Sequence, residues 1–265
     1  MSVRVMRRGG GLVAGCAAVV AIVAAGAGAA AESFEYKQKQ RPRVRDAFLH
    51  HAKAVAADFA KAGAAWPPAG IFLLGFKHEG ELELWARKAK PAKGPDTGER
   101  VLVRTFPICA ASGVLGPKAR SGDYQVPEGF YTIDRFNPNS SYHLSLGLSY
   151  PNAVDKARAA GRPPGGDIFI HGNCVTIGCL PLQDDPIEAL YVTAVMARGG
   201  GQGALPVHLF PCRFSDETCE VALHKASPDD ALAAFWQVLR DGYQRFEASH
   251  VPPTVRATSR GYRFE

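Results

Sequence analysis

A chain of 265 residues, 46% of them hydrophobic, is long enough to bury a full core, either as one large domain or as one domain with additions. The net charge of +6 at pH 7 is modest, and no run of basic residues is interleaved with aromatic ones. This combination argues against nucleic acid as a partner.

Residues 1–31 have the pattern of a secretory signal peptide. Arginines precede an apolar stretch, and Ala29 and Ala31 fit an A-x-A cleavage site before Glu32. We therefore expect an exported, periplasmic protein. Membrane contact is expected only if this segment stays uncleaved, and its apolar run is short for a span of the bilayer.

Hydrophobic periodicity predicts the next elements in chain order. They are a helix over 43–62, a hairpin of strands 71–77 and 82–88, a strand over 101–110 after a polar loop at 91–98, strands over 130–133 and 142–149, and a short helix over 153–161. The stretch 112–129 is rich in Gly, Pro and charge, which predicts a long loop.

The C-terminal half continues the alternation of strands and helices. The pattern predicts a strand over 167–170, a helix that begins at Asp184 or Asp185, a strand over 206–211 and a last helix that begins within 227–230. The polar end, 252–265, is predicted to be frayed.

The segment His171–Cys179, HGNCVTIGC, follows the predicted strand 167–170. A thiol is mostly protonated at neutral pH, so a catalytic cysteine needs a nearby imidazole to take its proton. His171 can be that base for Cys179, and the backbone N–H groups of Gly178 and Cys179 can stabilise an oxyanion. These are the parts of an acyl-transfer site.

Two other interpretations of the same residues remain. Free cysteines are often simply buried, in which case Cys179 would only pack. His171, Cys174 and Cys179 also offer three zinc ligands, but no paired CxxC or HxxxH spacing supplies a fourth. We therefore expect no metal.

The stretch IHGNCVTIGC resembles the active-site motif of the YkuD-type L,D-transpeptidase family, and most closely its YafK-like branch. The segments SGVLGPKARSGDYQVPEGFYTID (112–134) and YHLSLGLSYPNAVDKAR (142–158) are also similar to that branch. The resemblance covers most of residues 70–215. It implies an α+β fold, with a mostly β catalytic core over 69–213, a helical segment over 32–68 and a C-terminal helical extension over 214–265.

The resemblance also implies roles for individual residues. Cys179 matches the nucleophile and His171 the base, and the supporting positions are Gly172, Thr176 and the oxyanion donor Gly178. A triad carboxylate is not identifiable, and a backbone carbonyl can orient His171 instead. The residues that would line the substrate groove and meet a charged peptide are Lys118, Arg120, Asp123 and His143, the last also as a reserve base.

The chain departs from the family pattern at two places. Most relatives carry a histidine at the position of Ile177. They also carry an arginine soon after the cysteine, where this chain has Leu180 and Pro181. The chain therefore lacks, at that position, the arginine expected to anchor the substrate.

Five cysteines follow the predicted signal peptide, and in an oxidising compartment an odd number suggests disulfides plus one free thiol. Cys212 and Cys219 are close enough in sequence to staple a loop. Cys109 and Cys174 can pair if their strands are neighbours, which would leave Cys179 free.

The function implied by the resemblance is a cysteine L,D-transpeptidase that acts on the tetrapeptide stems of peptidoglycan. No cofactor is expected, because thiolate, imidazole and backbone dipoles supply the chemistry. One alternative keeps the site but uses water as acceptor, so that the enzyme hydrolyses crosslinks or releases a wall-attached lipoprotein. The other is a wall-binding protein without activity, in which Cys179 is structural.

Overall fold

A mixed sheet of eight strands forms the centre of the computed structural model, which describes residues 1–2, 33–89 and 98–265. The predicted signal peptide and most of the predicted 91–98 loop lie outside these residues. The described elements are α1 (Phe34–Lys39), α2 (Pro42–Ala62), β1 (Ile71–Phe76), β2 (Glu81–Arg87), β3 (Arg100–Pro107), β4 (Gly129–Asn137), β5 (Ser145–Leu148), α3 (Ala153–Arg158), β6 (Phe169–His171), β7 (Leu180–Pro181), α4 (Asp184–Gly199), β8 (Leu205–Phe210), α5 (Glu217–Lys225), α6 (Asp230–Ser249), β9 (Val255–Thr258) and β10 (Gly261–Phe264).

The strand order of the sheet is β3-β2-β1-β8-β4-β5-β6-β7. Neighbouring strands are antiparallel except for the pairs β1–β8 and β6–β7, which are parallel. The edge formed by β6 and β7 carries the HGNCVTIGC segment between its two strands.

The sheet has an apolar core on each face, because successive side chains of a strand point to opposite sides. On β1, Leu73 belongs to the core that also contains α2 and α4, whereas Phe72 belongs to the core that contains α6. Every residue of β1 is buried as a result. The architecture is therefore α+β, with a large sheet and helices packed on it, as predicted.

Most predicted elements are confirmed within a few residues of their ends. The strand predicted over 142–149 is shorter, because His143 has φ +66°, a left-handed conformation that a strand does not contain. The helices α1 and α5 and the short strand β7 were not predicted. Across the described ranges, no helix combines the length and the apolar character needed to cross a membrane.

The prediction of a frayed C-terminus is wrong, because residues 255–264 form the antiparallel hairpin β9–β10. Tyr262 is buried there, with its ring 4.7 Å from that of Phe130. Its hydroxyl accepts a hydrogen bond of 2.9 Å from the side-chain amide of Asn152. These long-range contacts hold a polar segment that has no strong local signal of its own.

Glu32–Glu265 form one compact unit. The boundaries that the sequence suggests at residues 68 and 213 stay predictions.

The buried carboxyl of Asp155 makes the stability of this region depend on pH. Burial raises its pKa from 3.8 to about 6, against hydrogen bonds from Asn152 and Tyr131 that lower it. Because the folded pKa is the higher one, protonation favours the folded state. Stability from this group is present below pH 3.8 and is lost as pH rises through about 6.

We expect Asp155→Asn to remove this dependence. The free energy of unfolding of the wild type should rise, relative to that of the variant, by about 2 kcal/mol between pH 7 and pH 4. Urea unfolding at both pH values measures this difference. Parallel pH profiles for the two proteins would contradict the prediction.

Candidate active site

His171 and Cys179 lie at the two ends of an eight-residue loop between parallel strands. β6 ends at His171, β7 begins directly after Cys179, and Ile170 pairs with Leu180. The pairing brings the two side chains to the wall of one cavity of about 340 Å³. Residues that line this cavity are Asn137, Ser140, Ser141, Tyr142, Ser145, Asp167, Phe169, His171, Ile177 and Cys179.

The imidazole of His171 is oriented by the carbonyl of the next residue. Its Nδ1 lies 2.6 Å from the oxygen of Gly172, which as a carbonyl can only accept, so Nδ1 carries the hydrogen. The ring of Tyr142 covers the imidazole, with centroids 4.8 Å apart. Nε2 is left as the nitrogen that can take a proton, and burial lowers the pKa of the ring.

Cys179 is a free thiol in a half-buried position. Its Sγ accepts a hydrogen bond of 3.4 Å from the N–H of Phe169 and lies 3.6 Å from the carbonyl oxygen of Asp167. Burial raises the pKa of the thiol, although the N–H of Phe169 acts in the opposite direction. Since burial lowers the pKa of His171, the resting pair is a neutral thiol and a neutral imidazole.

The hydroxyl of Thr176 holds the end of the loop. Its Oγ1 accepts hydrogen bonds from the N–H groups of Gly178 (3.0 Å) and Cys179 (2.8 Å), and it donates to the carbonyl of Cys179 (2.8 Å). These are the two N–H groups predicted to bind an oxyanion. In this conformation both N–H groups donate to Oγ1 of Thr176, because the chain turns tightly between Thr176 and Cys179.

Two glycines of the loop are required by space. A Cβ on Gly172 would lie 2.5 Å from Oδ1 of Asp184, and one on Gly178 would lie 3.0 Å from the carbonyl oxygen of Gln125. Gly178 also has φ +134°, a conformation that other residues rarely adopt. The predicted supporting role of Gly172 is therefore steric: it lets the loop pass close to Asp184, whose Oδ1 accepts from the N–H of Asn173.

The structure contains the disulfides Cys109–Cys174 and Cys212–Cys219. The first joins the chain just after β3 to the middle of the loop between His171 and Cys179. The sulfur of Cys174 is bonded to Cys109 and is therefore not available as a zinc ligand. Within the described residues, no group of three or more His, Cys, Asp or Glu side chains could hold a metal ion.

Lys118 and Asp123, two of the charged residues predicted to meet the substrate, bind each other within the long loop 112–129. Nζ of Lys118 lies 2.6 Å from Oδ1 of Asp123, and both side chains are almost fully buried. Asp123 also accepts from the N–H groups of Ala119, Arg120 and Gln125, and the hydrogen bonds lower its pKa despite the opposing effect of burial. Lys118 and Asp123 thus shape the loop, and Arg120 is exposed on it.

His143 does not point at the thiol as a reserve base would. Its Nε2 lies 2.6 Å from Oε1 of Glu188 on α4, and Oε2 of Glu188 lies 3.0 Å from Nε2 of His51 on α2. The left-handed backbone at His143 turns its side chain toward these helices. Arg43 of α2 also donates to its carbonyl, so the segment before β5 is held by both helices.

Sequence reasoning missed Tyr142 and Asp167 as parts of the site. Tyr142 is the first residue of the segment 142–158 that resembles the family, and this position is the signal for it. Asp167 lies at the start of the predicted strand, where a single acidic residue has no distinctive pattern. Its place beside the thiol depends on the pairing of β6 with β7.

Comparisons with known proteins show the family of the chain. The family model described as YkuD, L,D-transpeptidase catalytic domain, matches residues 95–207. The protein named "Putative L,D-transpeptidase YafK" from Escherichia coli strain K12 is 32% identical over 194 residues, which cover 72% of each chain. The same protein from E. coli O157:H7 matches equally.

Two solved structures resemble the fold more distantly. The helical cell shape determining protein Pgp2 from Campylobacter jejuni is 17% identical, with a TM-score of 0.41, over 76% of this chain and 79% of Pgp2. L,D-transpeptidase 1 of Mycobacterium tuberculosis is 14% identical, with a TM-score of 0.29, over 53% of this chain and 61% of that one.

An identity of 32% across 72% of both chains places this protein in the YkuD-type L,D-transpeptidase family. Within that family it is a YafK-like member.

We expect the Cys109–Cys174 disulfide to keep Cys179 in its buried position. Replacing both cysteines by serine should loosen the loop, lower the raised pKa of the Cys179 thiol and speed its alkylation by iodoacetamide at pH 7. The matched control is the Cys212→Ser, Cys219→Ser variant, which should react at the wild-type rate.

Stability should separate the two disulfides as well. The cysteines of the first are 65 residues apart and those of the second 7. On the chain-entropy estimate, loss of the longer link should cost about 2 kcal/mol more. Chemical unfolding measures this, and equal alkylation rates in both variants would show that the first disulfide does not position Cys179.

Proposed function

We propose that this protein is an exported cysteine L,D-transpeptidase that acts on peptidoglycan stem peptides, with Cys179 as nucleophile and His171 as base. The observation that carries the proposal is the shared cavity, whose wall contains both a free thiol and an imidazole with its Nδ1 fixed by Gly172. Membership of the family supplies the class of substrate.

The reaction begins with a neutral pair. As Sγ of Cys179 attacks the carbonyl of the L-centre of diaminopimelate, Nε2 of His171 takes the thiol proton. The same nitrogen then gives this proton to the amine of the leaving D-alanine, which leaves a thioester on Cys179. An acceptor amine attacks the thioester, loses a proton through His171, and the thiol is restored.

In this mechanism Cys179 and His171 are both neutral before the substrate is attacked, and burial is the reason. A buried thiolate would be costly without a charged partner, so the sulfur is ionised only when the proton has somewhere to go. The carbonyl of Gly172 stabilises the imidazolium that forms, because it accepts from Nδ1 in both protonation states. For Gly178 and Cys179 to bind the oxyanion, their N–H groups must turn away from Thr176 or be shared with it.

Export is part of the proposal. The signal-like pattern of residues 1–31 supports it, and two disulfides are typical of an oxidising compartment such as the periplasm.

The assignment of roles is tested with the variants Cys179→Ser and His171→Ala and a purified tetrapeptide stem. Release of D-alanine should be abolished in the first and reduced by about 10²–10⁴-fold in the second. Because burial lowers the pKa of His171, the wild-type rate should rise with pH through a value below 6.5 and be level at neutral pH.

His224→Ala is the matched control, since this histidine is exposed on α5. It should keep the wild-type rate and pH profile. Full activity of His171→Ala would show that His171 is not the base. Inertness of Cys179 in the wild type would favour the wall-binding interpretation instead.

The acyl acceptor is decided by a second experiment. We expect intact peptidoglycan incubated with the protein to gain crosslinked or exchanged stems, as transfer to an amine requires. The muropeptides are separated and weighed by mass spectrometry after digestion. Shortened stems or a released lipoprotein, without new crosslinks, would show that water is the acceptor.

A further inference from the structure

An ion pair lies at the edge of the cavity that contains Cys179. Nη1 of Arg135 is 2.7 Å from Oδ1 of Asp167, and Asp167 is one of the lining residues. Its side chain is 82% exposed and that of Arg135 is 42% exposed. Exposed ion pairs of this kind contribute little to the stability of the fold.

The sheet is built to bring Arg135 to this position. Arg135 of β4 is paired with Gly147 of β5, and Gly147 is paired with Phe169 of β6. A Cβ on Gly147 would lie 2.7 Å from Nε of Arg135, so the glycine makes room for the arginine to cross the strand. The guanidinium then lies over the ring of Phe169, 4.7 Å from its centre, and reaches Asp167.

Asp167 is held close to the nucleophile by its own backbone. Its carbonyl oxygen is 3.6 Å from Sγ of Cys179, and its charge acts to raise the pKa of that thiol. The residue has φ +55°, which is sparsely populated for an aspartate. A cation and an anion are therefore presented together, one side chain away from the reacting sulfur.

We propose that Asp167 and Arg135 form a subsite for a zwitterionic amino-acid head group, namely the D-centre of the diaminopimelate residue that Cys179 attacks. The inference rests on the proposed function. Three methylene groups separate the two centres of diaminopimelate, which is on the scale of one side chain. The ammonium of the D-centre binds Asp167, and its carboxylate binds Arg135 through charge-assisted hydrogen bonds.

The test uses two tripeptides, L-alanyl-γ-D-glutamyl-meso-diaminopimelate and the same peptide ending in L-lysine. Lysine keeps the side-chain ammonium and lacks only the carboxylate. Binding is measured as protection of Cys179 against iodoacetamide, which requires no turnover. The diaminopimelate peptide should protect the wild type at a concentration about tenfold lower than the lysine peptide.

The variants should separate the two charges. Arg135→Gln should remove the preference for diaminopimelate, whereas Asp167→Asn should weaken both peptides by about tenfold. Asp134→Asn is the matched control, because Asp134 also pairs with Arg135 (3.1 Å to Nε) without lining the cavity, and it should change neither. Equal melting temperatures check that each variant folds.

Equal protection by the two peptides in the wild type, no protection by either, or a preference that survives in Arg135→Gln would overturn the proposal. Turnover of the tetrapeptide is measured in parallel. Release of D-alanine without a preference for diaminopimelate would leave the proposed function standing and remove the subsite. The predicted protection pattern without release of D-alanine would support the subsite and contradict the proposed transpeptidase activity.

Discussion

The candidate site depends on one constraint, the return of the chain from β6 to the parallel strand β7 within eight residues. Parallel neighbours are normally joined by a crossover of a dozen residues or more. Here the short connection forces a tight loop, whose shape is held by Thr176, by the disulfide of Cys174 and by glycines at 172 and 178. The result is that an imidazole at the end of one strand and a thiol at the start of the next line one cavity.

Burial shifts the pKa values of both His171 and Cys179. The same low-dielectric surroundings raise the pKa of Cys179 and lower that of His171, because each shift favours the uncharged form. In the mechanism we propose, proton transfer accompanies the attack on the substrate. The hydrogen bond from Nδ1 of His171 to the carbonyl of Gly172 leaves Nε2 as the accepting nitrogen.

Helices on both faces of the sheet hold the segments that surround the candidate site. On one face, Arg43 of α2 and Glu188 of α4 hold the segment that ends in His143, and this segment carries the tyrosine that covers His171. On the other, Trp236 of α6 donates to the buried carboxylate of Glu128, which also accepts from Gly116 in the long loop. The terminal helices are therefore part of the architecture around the site.

The amino-acid sequence by itself determined the order of most helices and strands, because their apolar periods are local properties of the chain. It also indicated His171 and Cys179 as the candidate reactive residues, because a histidine and a cysteine stand at the two ends of HGNCVTIGC. The C-terminal hairpin was not predicted from the sequence, because Tyr262 is held by Phe130 and Asn152, which are more than 100 residues away in sequence.

Only the tertiary structure decided what each charge does. Lys118 and Asp123 neutralise each other because the long loop folds back on itself, and His143 faces Glu188 because its backbone turns left-handed. Arg135 and Asp167 meet because three strands are paired in one register, with a glycine in the middle one. Such pairings depend on distances between remote segments, which no local pattern of residues records.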